Sequence, residues 1–372
     1  MKKAFYLPGG GARGAYQAGV LKAISEITGS QKVPVDILSS VSAGSINAAF
    51  IAMHADDFPR AVSRLVELWS SLSSDKIFHT GNFALFKSVC RNAFSFIFHS
   101  KAKGGGYLFD TTPLKTLLAS MLDFNKINEN IEAGLLFAFE VSAACYDVPE
   151  NASFFYSTTP QPCWKRIRSV AHFTKITHEH ILASAAIPLF FPAINIAGKH
   201  YGDGALRLTA PLRPPIKLGA DRILVIGTRR VLSLGEPELP VTVLNNVSFA
   251  KILGIMLHAL FLDNLDRDIE LLIKINYFLG EVTPKTANTA EWKPVKVLAI
   301  YPSIDLAPLT QGRQKVLPFL LRYLMRVFGS DEQSSDILSF LLFESEYCKD
   351  LVNIGYVDAM AKKAEIIEFF SS

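Results

Sequence analysis

The sequence predicts an α/β fold, a sheet with helices on both faces. Three observations predict it. Short apolar runs alternate with stretches of helical spacing along the chain. A glycine loop, Gly9-Gly10-Gly11-Ala12-Arg13-Gly14, joins the apolar run 4–7 to a helix-like stretch over 15–27. A second small-residue segment, Ser40-Val41-Ser42-Ala43-Gly44, closes the apolar run 33–41 and leads into another helix-like stretch that reaches about residue 53.

The remaining elements follow in chain order. Apolar spacing predicts a helix over 58–72. Residues 80–108 form an insert whose phenylalanines (Phe83, Phe86, Phe94, Phe96, Phe98) alternate with Lys87, Arg91, Lys101 and Lys103. That mixture suits either a plain core helix or an interfacial segment, apolar on one side and basic toward anionic headgroups. The glycines at 104–106 would give the insert a hinge, as in a lid. Thr111-Thr112-Pro113-Leu114 opens a capped helix to residue 122, with proline in its first turn. Runs 135–144, 222–227 and 295–301 read as buried strands, the last closing the core. A helical insert occupies about 237–280. From residue 313 the pattern is helical over 316–328, 337–344 and 357–370. We divide the chain into a catalytic domain, 1–305, and a helical C-terminal extension, 306–372, that could bind a partner, cover the site or touch membrane.

The chemistry sits in the first two loops. Glycines at 9, 10 and 11 let the main chain approach a bound group, and N–H groups beside a helix N-terminus favour an anion. Gly9, Gly11 and Gly14 also match the dinucleotide pattern G-x-G-x-x-G, with Asp36 at a suitable distance for a ribose. However, the ribose acid belongs at the carboxyl end of the second strand, and Asp36 lies at its start. A P-loop is excluded because no Gly-Lys-Ser/Thr follows. Ser42, flanked by Ser40, Ala43 and Gly44, fits a serine on a sharp strand-to-helix turn, where neighbours must be small. Together the loops read as a serine hydrolase.

A serine nucleophile needs a base, and two kinds are offered. The histidines (His54, His79, His99, His172, His178, His180, His200, His258) lack a site-like setting; His178 and His180 flank Glu179 at a polar helix start, and His258 lies in an apolar run. The alternative is Asp203 in Tyr201-Gly202-Asp203-Gly204-Ala205, which otherwise reads as an Asp-Gly turn. It follows the tightly packed small and apolar segment 183–192, and its flanking glycines would let a carboxylate approach a nucleophile.

These features, in this order, resemble the patatin-like phospholipases over roughly residues 4–305: the glycine loop with Arg13, the turn at Ser42, segment 183–192, and Asp203-Gly204-Ala205. The resemblance implies a three-layer α/β/α fold with a mostly parallel sheet. It implies a Ser42–Asp203 dyad without histidine and an oxyanion hole drawn from Gly9, Gly10, Gly11, Ala12, Arg13 and Gly14. Ser40, Ala43, Gly44, Gly204 and Ala205 would support the turn and the dyad. Ser40 departs from the family's glycine. The implied activity is lipid acyl ester hydrolysis, with no metal and no organic cofactor required. The rival is an inactive or partner-gated fold that binds lipid or protein, with a protein activator acting on the insert or the C-terminal helices.

Composition agrees with a lipid-facing globular protein. Hydrophobic residues make up 49% of the 372 and charged residues only 19%, which excludes disorder. A net charge of +4 is too small to predict nucleic-acid binding, and Arg166, Arg168, Arg229 and Arg230 read as solvated faces. Cys90, Cys145, Cys163 and Cys348 show no ligand spacing and fit free thiols in a reducing compartment. The apolar run after Met1-Lys2-Lys3 is too short for a signal peptide. Run 247–262 contains Lys251 and His258 and falls short of a membrane span. These features predict a cytoplasmic or peripheral-membrane protein acting on a membrane surface of its own cell or of another.

Overall fold

A computed structural model describes residues 1–79, 107–231, 247–261, 263–281, 293–313, 322 and 331–371. The Phe-rich stretch 83–98, the glycines at 104–106, all of the expected helix 316–328 but residue 322, His99 and Cys90 lie outside the described residues.

One sheet holds the strands β1 (Lys3–Leu7), β2 (Ile37–Val41), β3 (Ala138–Cys145), β4 (Asn151–Ser157), β5 (Lys165–Arg166), β6 (Ser169–Phe173), β7 (Ile194–Ile196), β8 (Lys199–Asp203), β9 (Arg222–Ile226) and β10 (Lys296–Ile300). The helices of the first half are α1 (Gly14–Thr28), α2 (Ala43–Met53), α3 (Phe58–Ser70), α4 (Ser74–Ile77), α5 (Thr112–Met121) and α6 (Phe124–Glu132). Those of the second half are α7 (His178–Ser184), α8 (Arg213–Lys217), α9 (Phe249–Phe261), α10 (Asp263–Glu281), α11 (Asp331–Leu341), α12 (Ser345–Ala361) and α13 (Lys363–Ser371).

The sheet order is β10-β9-β1-β2-β3-β4-β6-β5, and its first five strands run parallel. Burial on both faces explains their composition: β2 and β9 are buried at every position, as is all of β3. From β1 the chain steps one way to β2 and β3, while β9 steps the other way to β10. Right-handed crossovers therefore place α1–α3 on one face and α9–α10 on the other, giving three layers. The switch lies between β1 and β9, and this class of sheet binds ligands beyond the carboxyl ends of its strands.

The C-terminal helices share this core. Helix α12 lies along α1 with backbone touching backbone: a Cβ on Gly19 would stand 1.9 Å from the Val352 carbonyl oxygen, and one on Gly355 would stand 2.1 Å from that of Tyr16. Only glycine permits that approach. Tyr347, Leu351, Ile366 and Phe369 join the same hydrophobic cluster as Phe5 and Leu38. Arg229, read above as a solvated face, instead forms ion pairs with Asp263 and Asp266 at the start of α10. Among the described residues, no helix is long and apolar enough to cross a membrane.

Candidate active site

Ser42 stands where β2 ends and α2 begins, with φ 57° and ψ −133°. Positive φ in a non-glycine residue is strained and must be held by its surroundings. Sterics explain the small neighbours. A Cβ on Gly44 would meet the Leu7 carbonyl oxygen at 2.0 Å, because α2 starts hard against the glycine loop. Ser40 fits where the family has glycine because its hydroxyl donates to the Glu140 carbonyl at 3.0 Å. Ala43 and Gly14 face each other across the α1–α2 junction.

The partner of Ser42 is Asp203. Ser42 Oγ donates to Asp203 Oδ2 at 2.5 Å, and Asp203 Oδ1 accepts the Ala205 N–H at 3.0 Å. Register explains the meeting. On one edge of β3, Ser142 pairs with Val41, the last residue of β2; Ala143, the next, pairs with Asp203, the last of β8. The other edge is occupied by β4 through Ala144. Thus β8 arrives antiparallel on the edge that β2 has just left, and the two strand ends meet head to head. Gly204 is fitted against this junction, since a Cβ there would stand 2.3 Å from the Ser142 oxygen. The Asp-Gly pair is no hairpin turn: the β7–β8 hairpin reverses at Ala197-Gly198, both at positive φ.

Asp203 is fully buried, and burial pushes its carboxyl up to about 7 against the opposing pull of the Ser42 and Ala205 hydrogen bonds. A carboxyl in that range can take and return a proton near neutral pH. Of the described imidazoles, His180 accepts from Thr177 and His258 is held by Arg13.

The glycine loop is locked beside Ser42. A Cβ on Gly9 would stand 2.8 Å from the Ser42 Cβ, and one on Gly10 would strike Thr228, whose hydroxyl donates to the Gly9 carbonyl at 2.7 Å. Gly11 has φ 55°, and a Cβ there would lie 2.2 Å from the Phe340 carbonyl of α11. Gly11, Ala12 and Arg13 form a single 3-10 turn leading into α1 at Gly14. Such a start leaves N–H groups without helical partners.

Arg13 departs from the sequence expectation. Its buried guanidinium donates to Ser339 Oγ at 2.6 and 2.9 Å, lies 3.1 Å from His258 Nε2, and stacks on Phe340 at 4.5 Å. Because arginine can only donate, His258 Nε2 accepts and the ring is neutral. Burial, with the charge of Arg13, lowers the His258 pKa to about 4. Arg13 thus clamps α11 onto the loop instead of pointing its charge at Ser42.

Residues the sequence reading passed over complete the frame. Gln17 donates to the carbonyls of Pro8 and Ile226, tying the ends of β1 and β9. Asn47 joins Gly14, Gln17 and the Trp69 indole. Each is a buried polar side chain within an apolar helix, a signal present in the sequence.

An apolar cavity, partly open to solvent, begins at Ser42 and Gly11 and runs between Ile46, Trp69, Leu114, Leu118, Ile187 and Phe343. A hydroxyl hydrogen-bonded to a buried carboxyl, at the head of an apolar slot, is suited to attack on an acyl carbonyl. A family model, the patatin-like phospholipases, matches residues 6–216, more than half of the chain. The chain belongs to the patatin-like phospholipase family. The match spans the glycine loop, the Ser42 turn and Asp203, while Ile226, Thr228, Phe343 and the clamp from α9 and α11 lie beyond it. Among solved structures, VipD from Legionella pneumophila is similar at 13% identity and TM-score 0.38, over 91% of this chain and 66% of that one. The chain therefore spans slightly less than two thirds of VipD. No match was found among curated proteins.

Proposed function

We propose that this patatin-like protein is a serine acyl hydrolase that cleaves carboxylic esters of lipids, of phospholipase A or lysophospholipase type. The observation that carries the reading is the 2.5 Å hydrogen bond from Ser42 Oγ to a fully buried Asp203 at the head of the apolar cavity. Ionised Asp203 takes the Ser42 proton as Oγ bonds to the ester carbonyl carbon. The oxyanion rests on main-chain N–H groups of the glycine loop, Gly10 and Gly11 foremost, because the Arg13 side chain is held by α11. Collapse breaks the ester C–O bond, and the departing alcohol takes the proton back from Asp203. Water, deprotonated in turn by Asp203, then attacks the acyl carbonyl, and the acyl C–O bond breaks as Asp203 returns that proton to Ser42 Oγ and the fatty acid leaves.

The test is fatty-acid release from phosphatidylcholine vesicles and from lysophosphatidylcholine micelles, with fluorophosphonate labelling alongside. Release with labelling at Ser42 is the expected result. Neither release nor labelling would favour the binding-module alternative.

The membrane surface, on this reading, meets the outer face of α9. Ile252, Ile255 and Met256 are about half exposed there, and the helix ends at Phe261 beside Gly9. Half-exposed side chains of this size each gain on the order of 1 kcal/mol by entering an apolar phase, and charges there would reverse the gain. Ile255→Glu with Met256→Glu is therefore expected to weaken vesicle co-sedimentation about tenfold or more, while hydrolysis of a short soluble ester stays near the wild-type rate.

A further inference from the structure

The strained turn at Ser42 needs something to hold it, and the sheet does not. Pairing of β2 with β3 stops at Val41, so the N–H of Ser42 has no strand partner. A buried N–H requires an acceptor. Ser184 Oγ supplies it, at 2.8 Å. The single hydroxyl hydrogen of Ser184 is then directed to the Ser142 carbonyl at 2.7 Å. The polarity is forced, because a peptide N–H only donates and a carbonyl only accepts.

Two residues further on, the Ala186 carbonyl accepts the N–H of Asp203 at 2.9 Å. One short segment at the end of α7 therefore grips the backbones of both Ser42 and Asp203. Ser142 is itself tied down: its hydroxyl donates to the fully buried Glu140 carboxyl at 2.7 Å, which also takes the Ser39 hydroxyl at 2.6 Å.

We propose that Ser184 is a positioning residue, the acceptor that holds the nucleophile's backbone while segment 184–186 sets the spacing between Ser42 and Asp203. The proposal rests on the reading of Ser42 as the nucleophile. Because the Ser42 N–H is already spent on Ser184, the proposal leaves the oxyanion to donors of the glycine loop.

The experiment compares wild type, Ser184→Ala, Ser184→Cys and Ser142→Ala for hydrolysis of a short soluble ester, fluorophosphonate labelling rate and Tm. Ser184→Ala is expected to lower kcat and labelling about 10- to 100-fold with little change in KM, as small misplacements of reacting groups do. Ser184→Cys, which keeps a weaker acceptor, should fall between that variant and wild type. Ser142→Ala keeps the carbonyl but strips a donor from Glu140, so it should lower Tm at least as much as Ser184→Ala while changing kcat only a few-fold. Turnover of Ser184→Ala within twofold of wild type would overturn the proposal, as would kcat losses that track Tm across the series. Absence of labelling in the wild type would strike at the nucleophile assignment instead.

Discussion

Replacing Asp203 with Asn is expected to lower ester hydrolysis by about 10²- to 10⁴-fold, the range for loss of a general base held in hydrogen-bond contact. The amide fits the space but cannot receive a proton. Its NH₂ would donate to Ser42 Oγ while its oxygen keeps the Ala205 N–H, which inverts the hydrogen bond the reaction needs. Ser42→Ala should abolish both turnover and fluorophosphonate labelling. In wild type the base must be ionised, and burial puts its pKa at about 7. The kcat/KM for a soluble ester should therefore climb with pH and level off above about 7; an ordinary carboxylate would already be level above about 5. A profile flat from pH 5 to 8 would mean that the base titrates as an ordinary carboxylate and that burial does not raise Asp203.

The same burial makes the site a liability to the fold, and the Asp203→Asn variant should be more stable than wild type at pH 8. Asp203 and Glu140 are both buried and both pushed up to about 7, in each case chiefly by desolvation. Unfolded, they titrate near 4. Between about pH 4 and 7 the folded state thus holds protons that the unfolded state has released. Stability is full below the lower limit and falls as pH rises through the upper one, by up to about 1.4 kcal/mol per pH unit for each group. Asn has no charge to bury. Melting curves should show the variant several degrees above wild type at pH 8, with the gap closing toward pH 5. A gap that does not change with pH would mean that Asp203 is ionised without cost where it sits.

How much of this was legible in the sequence depended on whether the partners lie close along the chain. The turn at Ser42 was legible because its requirements are local: an apolar strand, small residues at 40, 43 and 44, and a helix. Asp203 could be picked out by its flanking glycines. Its route to Ser42 could not, since it depends on β8 joining β3 at the residue beyond the end of β2, a register set by strands far apart in the chain. The Asp-Gly signal suggested a turn, while the actual hairpin used Ala197-Gly198. The family resemblance puts Arg13 in the oxyanion hole, yet its side chain takes Ser339 as partner, 326 residues away. Ser184 and Glu140 were visible as polar residues within apolar runs. What they hold became evident only with the sheet assembled.

That clamp has a consequence in time. Ribosomes add about 5–20 residues per second, so roughly 16–65 s separate the synthesis of Arg13 from that of Ser339. Throughout that interval the loop expected to hold the oxyanion lacks the helix that packs on Gly11 and anchors Arg13. A nascent chain can thus present Ser42 and Asp203 without a finished site, and any chain broken off before Ser339 never finishes one. On the proposed reading, whose substrate surrounds every cell that makes the protein, completion by the late-emerging helix α11 would keep the newborn polypeptide harmless to its producer's own membranes.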